Sequence, residues 1–348
     1  MKWRGDKIRF EVYGTSHAPE IGIVAEGVPV REVNESALAA FMDRRRAKAT
    51  AYSTKRIEAD VPMIEQDGST FRAVIGNNNV RSGDYNDLYG VPRPSHADYA
   101  AYLMDGRLDF SGGGEFSGRL TAPLCVLGSI AKELLGEKGV TVSAWASEIG
   151  GVKGSTYKEA LTEEMLVCGK EGKWTPAKEE EMFAAIERAA AEKDSVGGRV
   201  ECAVTGLPGA VGGGRFGSLE GKISSMLYMI PAVKAVEFGL GFGFASALGS
   251  VANDSLRMQN GAVAIVKNDA GGINGGLSNG NPVTLGVAFR PTPSIGKKQQ
   301  SVDLVAGADK EIEIKGRHDA CIVPRAVPVV EAAVAIAVLD AMMEGGKL

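Results

Sequence analysis

The first part of the chain alternates polar and apolar positions, and this pattern predicts an antiparallel sheet. Residues 7–14, "KIRFEVYG", predict one strand, and residues 22–30, "GIVAEGVPV", predict its neighbour. Residues 60–66 and 71–77 predict a strand pair joined by a turn at "DGS". Four later segments predict further strands: "TVSAWASEIGGV", "GGRVECAVTGLP", the stretch after Pro231 in "AVKAVEFGLGF", and "NPVTLGVAF".

Helical spacing of apolar residues marks several other segments. Residues 34–46 begin with Asn34 as the capping residue and end in three arginines, which suit a helix C-terminus. Residues 174–195 predict a helix with Thr175 as cap and Pro176 at its first position. Further helices are predicted within 97–107, 111–136, 218–230 and 325–343.

These elements do not alternate strictly between strand and helix. Hairpins and helices in this mixture predict the α+β class, with antiparallel sheets covering helices. No linker-like change in composition interrupts the chain, so residues 1–348 are predicted to form a single domain. The long aperiodic segment 77–96 is typical of a functional loop.

The apolar run Ala332–Leu339 lies between Glu331 and Asp340 and is too short to cross a bilayer. It predicts a buried helix, and no membrane partner is expected.

The start of the chain lacks the apolar stretch of a signal peptide. The scattered cysteines fit reduced thiols in a cytoplasmic protein, and they are Cys125, Cys168, Cys202 and Cys321.

Charge and composition narrow the possible ligands. The formal net charge is −4, which argues against a general nucleic-acid binder. Glycine is abundant, with 46 residues in the chain. Many glycines permit tight turns and close approach of backbone to a flat or phosphorylated ligand.

The chain has three histidines, His17, His96 and His318, and each has a serine, an arginine or an aspartate beside it. Such neighbours can fix the tautomer of an imidazole or tune its pKa. A structural role is the alternative for any single one of them. A metal site is disfavoured because no two histidines are close in sequence and no HExxH motif occurs. General acid–base chemistry near neutral pH fits the three together better.

Basic residues cluster around the same segments. A solvated helix end is the ordinary explanation of the run "RRRAKATAYSTKR". A site for phosphate or carboxylate is the functional alternative, because arginine binds both bidentately. Further arginines accompany the other motifs, so a polyanionic small molecule is the simplest common ligand: Arg81, Arg93, Arg119, Arg317 and Arg325.

The glycine-rich loops are weak signals individually. "GGGEFSG" is not a dinucleotide-binding fingerprint, and no P-loop motif occurs. "AGGINGGLSNG" could place backbone against a planar cofactor, or it could be a set of tight turns; the pattern leaves both open.

The order of these motifs resembles the chorismate synthase family from about residue 7 to residue 343. The segments that carry the resemblance best are "RPSHADY", "AGGINGGLSNG" and "GRHDACIVPRAVPVVEA". The resemblance implies a β-α-β sandwich in which antiparallel sheets enclose a helical layer. It also implies elimination of phosphate from 5-enolpyruvylshikimate 3-phosphate to give chorismate, with reduced FMN and no net redox change. The family usually assembles as a homotetramer.

The resemblance also implies roles for particular residues. His17 would protonate the leaving phosphate, His96 would donate a proton to the reduced flavin, and Asp319 would act at flavin N5. Cofactor binding would fall to Glu115, Phe116, Ser117, Pro231, Ala232, Gly275, Arg290, Pro291, Thr292, Pro293, Ser294 and Arg317. Substrate binding would fall to Arg45, Arg46, Arg119 and Arg325.

The sequence departs from the family pattern in three places. Thr15 and Ala18 flank Ser-His where the family has glutamate and glycine, and "EFSGRL" stands where Arg-Ser-Ser-Ala-Arg-Glu is usual. An arginine is replaced near Ala51. These changes bear on FMN affinity, on contact with NADPH as a source of reductant, and on whether a separate flavin reductase serves the protein. The alternative interpretation is a divergent homologue with lost or altered activity that binds a phosphorylated metabolite or flavin.

Overall fold

The computed structural model describes residues 1–46, 59–77, 88–110, 112–214, 216–314 and 319–348. Two five-stranded antiparallel sheets form its outer layers. The first sheet has the order β1-β2-β3-β5-β4. Its strands are β1 (Lys2–Arg4), β2 (Arg9–Gly14), β3 (Glu20–Glu26), β4 (Pro62–Asp67) and β5 (Thr70–Gly76).

The second sheet has the order β7-β6-β8-β14-β9. Its strands are β6 (Thr141–Ile149), β7 (Val152–Lys153), β8 (Gly198–Thr205), β9 (Val233–Phe238) and β14 (Val283–Phe289). The central strand β8 is buried along nearly its whole length, because both of its faces are covered.

Three hairpins complete the strands. They are β10 (Leu256–Gln259) with β11 (Ala262–Ile265), β12 (Ile273–Asn274) with β13 (Leu277–Ser278), and β15 (Gln299–Asp303) with β16 (Ala308–Ile312). The sequence pattern predicted none of these hairpins, and for the second it indicated a glycine loop.

Eight α-helices occur in the described part of the chain. They are α1 (Glu35–Arg45), α2 (Asp98–Asp105), α3 (Thr121–Gly136), α4 (Glu163–Val167), α5 (Glu179–Ala191), α6 (Leu219–Leu227), α7 (Gly249–Ala252) and α8 (Val323–Glu344). Helix α3 packs on β3 and β5 of the first sheet, and α8 packs on β6 and β8 of the second. The two helices also pack on each other, so the antiparallel sheets enclose a helical layer and the predicted α+β class is confirmed.

The close approach of α3 and α8 depends on a small residue. An ideal Cβ at Gly128 would lie 2.2 Å from the Cβ of Ala332, so glycine is required where the two helices meet. Helix α8 is long and apolar enough to span a bilayer by composition alone, but 94% of its most apolar window is buried inside the fold. It is therefore a core helix.

Several local predictions are confirmed. Asn34 caps α1, and its side chain accepts a hydrogen bond from the Ala37 amide at 3.1 Å. The start predicted for α5 is wrong. Thr175 is buried and donates its hydroxyl to the carbonyl of Ala146 in β6, so it ties the loop to the sheet and the helix begins only at Glu179.

Candidate active site

His96 lies in the loop before α2 and contacts a buried carboxylate. Its Nδ1 is 2.5 Å from Oδ1 of Asp98, the first residue of that helix. Arg93 forms a bidentate ion pair with the same carboxylate: its Nε donates to Oδ2 at 2.7 Å and its Nη2 donates to Oδ1 at 2.8 Å. Arg93 is 3% exposed and Asp98 is 5% exposed. Burial alone would raise the pKa of Asp98, but the hydrogen bonds from Arg93 and His96 hold it at about 2.

His17 follows the end of β2 and lies against a glycine turn. Its Nδ1 is 2.9 Å from the hydroxyl of the buried Ser16. Gly112 faces the imidazole so closely that an ideal Cβ there would lie 2.2 Å from Cε1. The carbonyl of Gly114 accepts a hydrogen bond from the Ser16 amide at 3.1 Å, which holds the turn against the histidine.

The turn at Gly112 joins the two histidines. Arg93 Nη2 donates to the Gly112 carbonyl at 2.5 Å, while the Cα of the same glycine packs on His17. Arg93 also donates to the hydroxyl of Ser294 at 3.4 Å. The structure therefore connects the two predicted acid–base residues through one glycine turn, although 78 positions separate them in sequence.

Two of the predicted substrate-binding arginines meet at a buried aspartate. Arg45 Nη1 donates to Asp60 Oδ2 at 2.8 Å, and Arg119 Nη1 donates to Asp60 Oδ1. Arg45 also donates to the carbonyl of Gly118 at 3.0 Å, which brings it to the end of the glycine turn. All three charged side chains are buried.

Arg325 lies in the first turn of α8 and connects this cluster to Asp319. Its Nη1 donates to Asp319 Oδ2 at 2.7 Å, and its Nε donates to the carbonyl of Arg45 at 3.2 Å. The Thr292 hydroxyl donates to the Asp319 carbonyl at 2.7 Å. Thr292 is two residues before Ser294, the partner of Arg93, and Gly118, which accepts from Arg45, is six residues after Gly112. The hydrogen bonds and these two short chain segments together form a closed ring.

Positive charge dominates the arginine side of this ring. Three arginines, Arg45, Arg119 and Arg325, share two aspartates, Asp60 and Asp319. Burial and repulsion from Arg325 lower the pKa of Arg45 to about 10. A bound anion would offset both effects with its negative charge, and a phosphate or carboxylate is the functional alternative that the sequence raised for these arginines.

The segment directly after β14 carries five of the twelve predicted cofactor residues, Arg290 to Ser294. Arg290 donates to the carbonyl of Ser95, next to His96, and its amide donates to the carbonyl of Ala232 at 3.0 Å. Ala232 has a φ of +73° and follows Pro231 at the start of β9. Pro291 and Pro293 lie between the residues that contact the ring, so this whole group borders the site.

Glu115, Phe116 and Ser117 form the other border. Ser117 accepts a hydrogen bond from the Arg119 amide at 3.2 Å. The Phe116 ring is 39% exposed, although its amide is tied to the Gly113 carbonyl. Glu115 contacts Arg107 Nη2 at 2.9 Å, so its negative charge has a cationic partner. The exposed Phe116 beside the glycine turn has the flat apolar surface on which a planar ligand could pack.

Gly275 lies elsewhere in the chain's fold. It sits in the turn between β12 and β13 with a φ of +61°, next to the beginning of β14. Arg290 follows the end of that strand, and its seven residues span roughly 20 Å. Gly275 therefore lies at the opposite end of β14 from Arg290 and the predicted cofactor residues that follow it.

Other predicted residues are peripheral or outside the described residues. Arg46 caps the end of α1 and lies 3.6 Å from Asp43, with a buried Nε that has no hydrogen-bond partner among the described residues. Arg317, His318, Arg81 and Ala51 fall outside the described ranges. A separate polar pocket of about 340 Å³ near β1 and β2 contains none of the predicted site residues.

Sequence reasoning did not assign roles to Asp60, Asp98 or Gly112. The spacing in "SHAD" was a usable signal for Asp98, because a carboxylate two residues after a histidine can reach its ring. Asp60 has a φ of +46° and precedes a strand, and nothing in its surroundings in sequence marks it as the partner of two arginines.

The fold and the site define the class: an α+β enzyme with two histidines in an anion-attracting, arginine-rich site. A family model described as chorismate synthase matches residues 8–343. A chorismate synthase of Korarchaeum cryptofilum is 40% identical, covering 97% of this chain and 96% of its own length. One of Thermococcus kodakarensis is 39% identical, covering 98% and 97%.

A solved structure titled "Crystal Structure of Chorismate Synthase" superposes with a TM-score of 0.73 at 22% sequence identity, covering 98% of this chain and 93% of that one. This likeness supports the fold. The chain belongs to the chorismate synthase family and is a lyase.

Proposed function

We propose that the protein eliminates phosphate from 5-enolpyruvylshikimate 3-phosphate to give chorismate, with reduced FMN bound and no net redox change. The observation that carries this proposal is the closed ring of hydrogen bonds and short chain segments. It runs through Gly112, Arg93, Ser294, Thr292, Asp319, Arg325, Arg45 and Gly118. It groups two acid–base histidines, a carboxylate and several arginines around one site. No observation in the described residues favours a homologue with altered activity.

The arginine side of the ring binds the substrate in this proposal. Arg45, Arg119 and Arg325 together carry one positive charge more than Asp60 and Asp319 neutralise. A phosphorylated dicarboxylate would satisfy these donors with charge-assisted hydrogen bonds.

His17 acts on the leaving group. When the C–O bond to phosphate breaks, its electron pair leaves with the phosphate, and a proton from the imidazole neutralises the developing charge. The contact between Ser16 Oγ and His17 Nδ1 fixes one side of the ring and directs the other nitrogen away from it. His96 is held by Asp98 in a corresponding way.

In this proposal Asp319 is the base that accepts a proton. Arg325 holds its Oδ2 at 2.7 Å, and Thr292 holds its backbone. The residues fit FMN through the exposed Phe116 ring, the glycine turn and Arg290. Reduced FMN, when bound there, would supply electron density to the reaction and an acceptor for the substrate hydrogen.

Finer features also belong to this proposal. We infer a cytoplasmic homotetramer, with NADPH or a separate flavin reductase as the source of reduced FMN. The placement of Gly275 at the far end of β14 is compatible with a second copy supplying or completing part of the cofactor site.

The proposal is tested by an anaerobic assay with dithionite-reduced FMN and the shikimate-derived substrate, in which chorismate is followed by absorbance. Chorismate and phosphate should form in equal amounts. The His17→Ala variant is the control and should be slower by roughly 10²–10⁴-fold. Binding of substrate and flavin without any chorismate would contradict the proposal and support the altered homologue.

A further inference from the structure

The buried carboxylate of Asp98 makes four contacts, three with Arg93 and one with His96. Asp98 Oδ2 accepts from the backbone and the Nε of Arg93, at 2.9 Å and 2.7 Å. Oδ1 accepts from Arg93 Nη2 at 2.8 Å and contacts His96 Nδ1 at 2.5 Å. The carboxylate thus has one oxygen directed to the arginine alone and one shared with the imidazole.

The contacts determine which nitrogen of His96 carries a proton. An ionised carboxylate only accepts hydrogen bonds, so its 2.5 Å contact requires a proton on Nδ1. Arg93 Nη2 is also 3.2 Å from Nδ1, but it has closer acceptors at Asp98 and Gly112. The shorter contact therefore sets the tautomer and leaves Nε2 to exchange a proton with a ligand.

The same arginine reaches the second histidine indirectly. Arg93 Nη2 donates to the carbonyls of Gly112 at 2.5 Å and of Phe110 at 3.3 Å. Gly112 has no space for a Cβ in front of His17, so any displacement of this turn changes the room available to the imidazole. One buried guanidinium thereby contacts the groups that orient both histidines.

We propose that Asp98 and Arg93 are positioning residues: Asp98 fixes the Nδ1–H tautomer of His96, and Arg93 couples the orientation of His96 to that of His17 through Gly112. This inference rests on the proposed function, since it assigns the two histidines to proton transfer. The ordinary alternative is an ion pair that only stabilises the loop before α2.

The first test uses the wild-type protein and needs no turnover. Solid-state NMR of protein labelled with 15N-histidine gives signals from three residues, and His→Gln variants assign them. His96 should carry its proton on Nδ1 at neutral pH. A neutral His96 protonated only on Nε2 would overturn the proposal, whatever the activity of the enzyme.

The second test uses Asp98→Asn, which keeps the shape but removes the charge. The nitrogen signals of His96 and His17 should both change, and kcat should fall by about 10–100-fold while KM changes by less than about threefold. Asp98→Glu, which restores a carboxylate, should recover part of the His96 signal pattern. If Asp98→Asn folds and leaves the signals and kcat as in wild type, the pair is structural only.

Asp340→Asn is the matched control. Asp340 is a fully buried carboxylate that accepts backbone hydrogen bonds from Lys7 and Ile8, both at 2.8 Å. It lies fifteen residues along α8 from Arg325, roughly 22 Å away. Its loss should lower stability without moving the signals of His17 or His96. A change in the His96 signals alone in Asp98→Asn would overturn the coupling through Gly112.

Discussion

Gly112 and His17 are packed so that no side chain fits between them. An ideal Cβ at position 112 would lie 2.2 Å from Cε1 and 2.8 Å from Nδ1 of the imidazole. Gly112 also has a φ of +61°, which L residues with a side chain adopt rarely. Glycine is therefore needed here for space as well as for backbone conformation.

Gly112→Ala should displace His17 and lower kcat by roughly 10²-fold, the scale of a lost acid–base group. Substrate affinity should change less, because the arginines proposed to bind substrate, Arg45, Arg119 and Arg325, are held by Asp60 and Asp319. Steady-state kinetics under anaerobic conditions measure both effects.

Gly114→Ala is the matched control for this change. Gly114 has a similar φ of +52°, but a Cβ there would meet no atom within 4 Å. It should share the backbone strain and retain most of the activity. Equal loss of activity in the two variants would assign the effect to strain in the turn and not to the position of His17.

Removing the charge of Asp60 should destabilise the protein strongly. Asp60→Asn leaves Arg45 and Arg119 without their shared carboxylate, and breaking a buried ion pair typically costs about 3–5 kcal/mol. Asparagine tolerates the φ of +46°, so backbone strain should not contribute. Urea unfolding measures the change.

Asp105→Asn is the control for Asp60→Asn, because Asp105 pairs with Arg107 at the surface. Its effect on the urea midpoint should be far smaller. If the arginines bind anions, a high concentration of inorganic phosphate should restore part of the stability of the Asp60→Asn variant. Equal midpoints for wild type and Asp60→Asn would show that the arginines are satisfied without the carboxylate.

Stability should fall in acid because of Glu331. Arg44 and Lys132 contact its carboxylate from α1 and α3. Burial would raise the pKa of Glu331, but the two cations hold it at about 2, below its usual 4.5. A lowered pKa in the folded state contributes stability that is present above pH 4.5 and is lost as the pH falls toward 2.

The full contribution of Glu331 is about 3 kcal/mol. Urea midpoints measured from pH 6 to pH 3 should fall below pH 4.5, and Glu331→Gln should be less stable at pH 6 and show a flatter dependence. An unchanged slope in the variant would mean that other carboxylates, Asp98 among them, control acid unfolding.

The sequence pattern predicted a strand or a helix correctly where the residues that determine the element lie within it or next to it in sequence. The alternation in 71–77 specifies β5, and the side chain of Asn34 specifies the start of α1. Thr175 misled the prediction because a threonine before a proline looks like a cap, while its actual hydrogen bond goes to Ala146 in a strand that is distant in sequence. Such a partner is set by tertiary packing.

The residues proposed to carry the chemistry could be predicted from the sequence, whereas the residues that hold them in place could not. His17, His96 and the arginines stand out by type and by motif. Gly112 acquires its role only when the fold places it against His17, and Asp60 only when Arg45 and Arg119 converge on it. Arg325 was expected to bind substrate, and in the structure it also holds Asp319.

Glu115 should weaken FMN binding when substrate is absent. Its carboxylate stands where the family pattern has an arginine. Arg107 offsets this negative charge only at the surface, because the side chains of Arg107 and Glu115 are 34% and 48% exposed. Glu115→Gln should therefore bind oxidised FMN severalfold more tightly than wild type without substrate, as measured by fluorescence titration. Equal affinities would show that Arg107 already neutralises this position.

The exchange of Asp319 for asparagine should separate proton transfer from binding. Asparagine keeps the shape of the side chain and can still accept from Arg325 Nη1, and the contact of Thr292 with the backbone carbonyl is unaffected. It has no basicity at neutral pH. Asp319→Asn should therefore fold and bind FMN with substrate, yet react at least 10²-fold more slowly in a single turnover.

Thr292→Val provides the comparison for Asp319→Asn, because it removes the hydrogen bond to the Asp319 backbone and leaves the carboxylate in place. It should lower the rate only modestly, since Arg325 still holds the side chain at Oδ2. Flavin titration and anaerobic single-turnover kinetics distinguish the two variants. If Asp319→Asn loses flavin binding but reacts at the normal rate when saturated, Asp319 is a binding residue, and the group that accepts the proton must lie elsewhere in the ring.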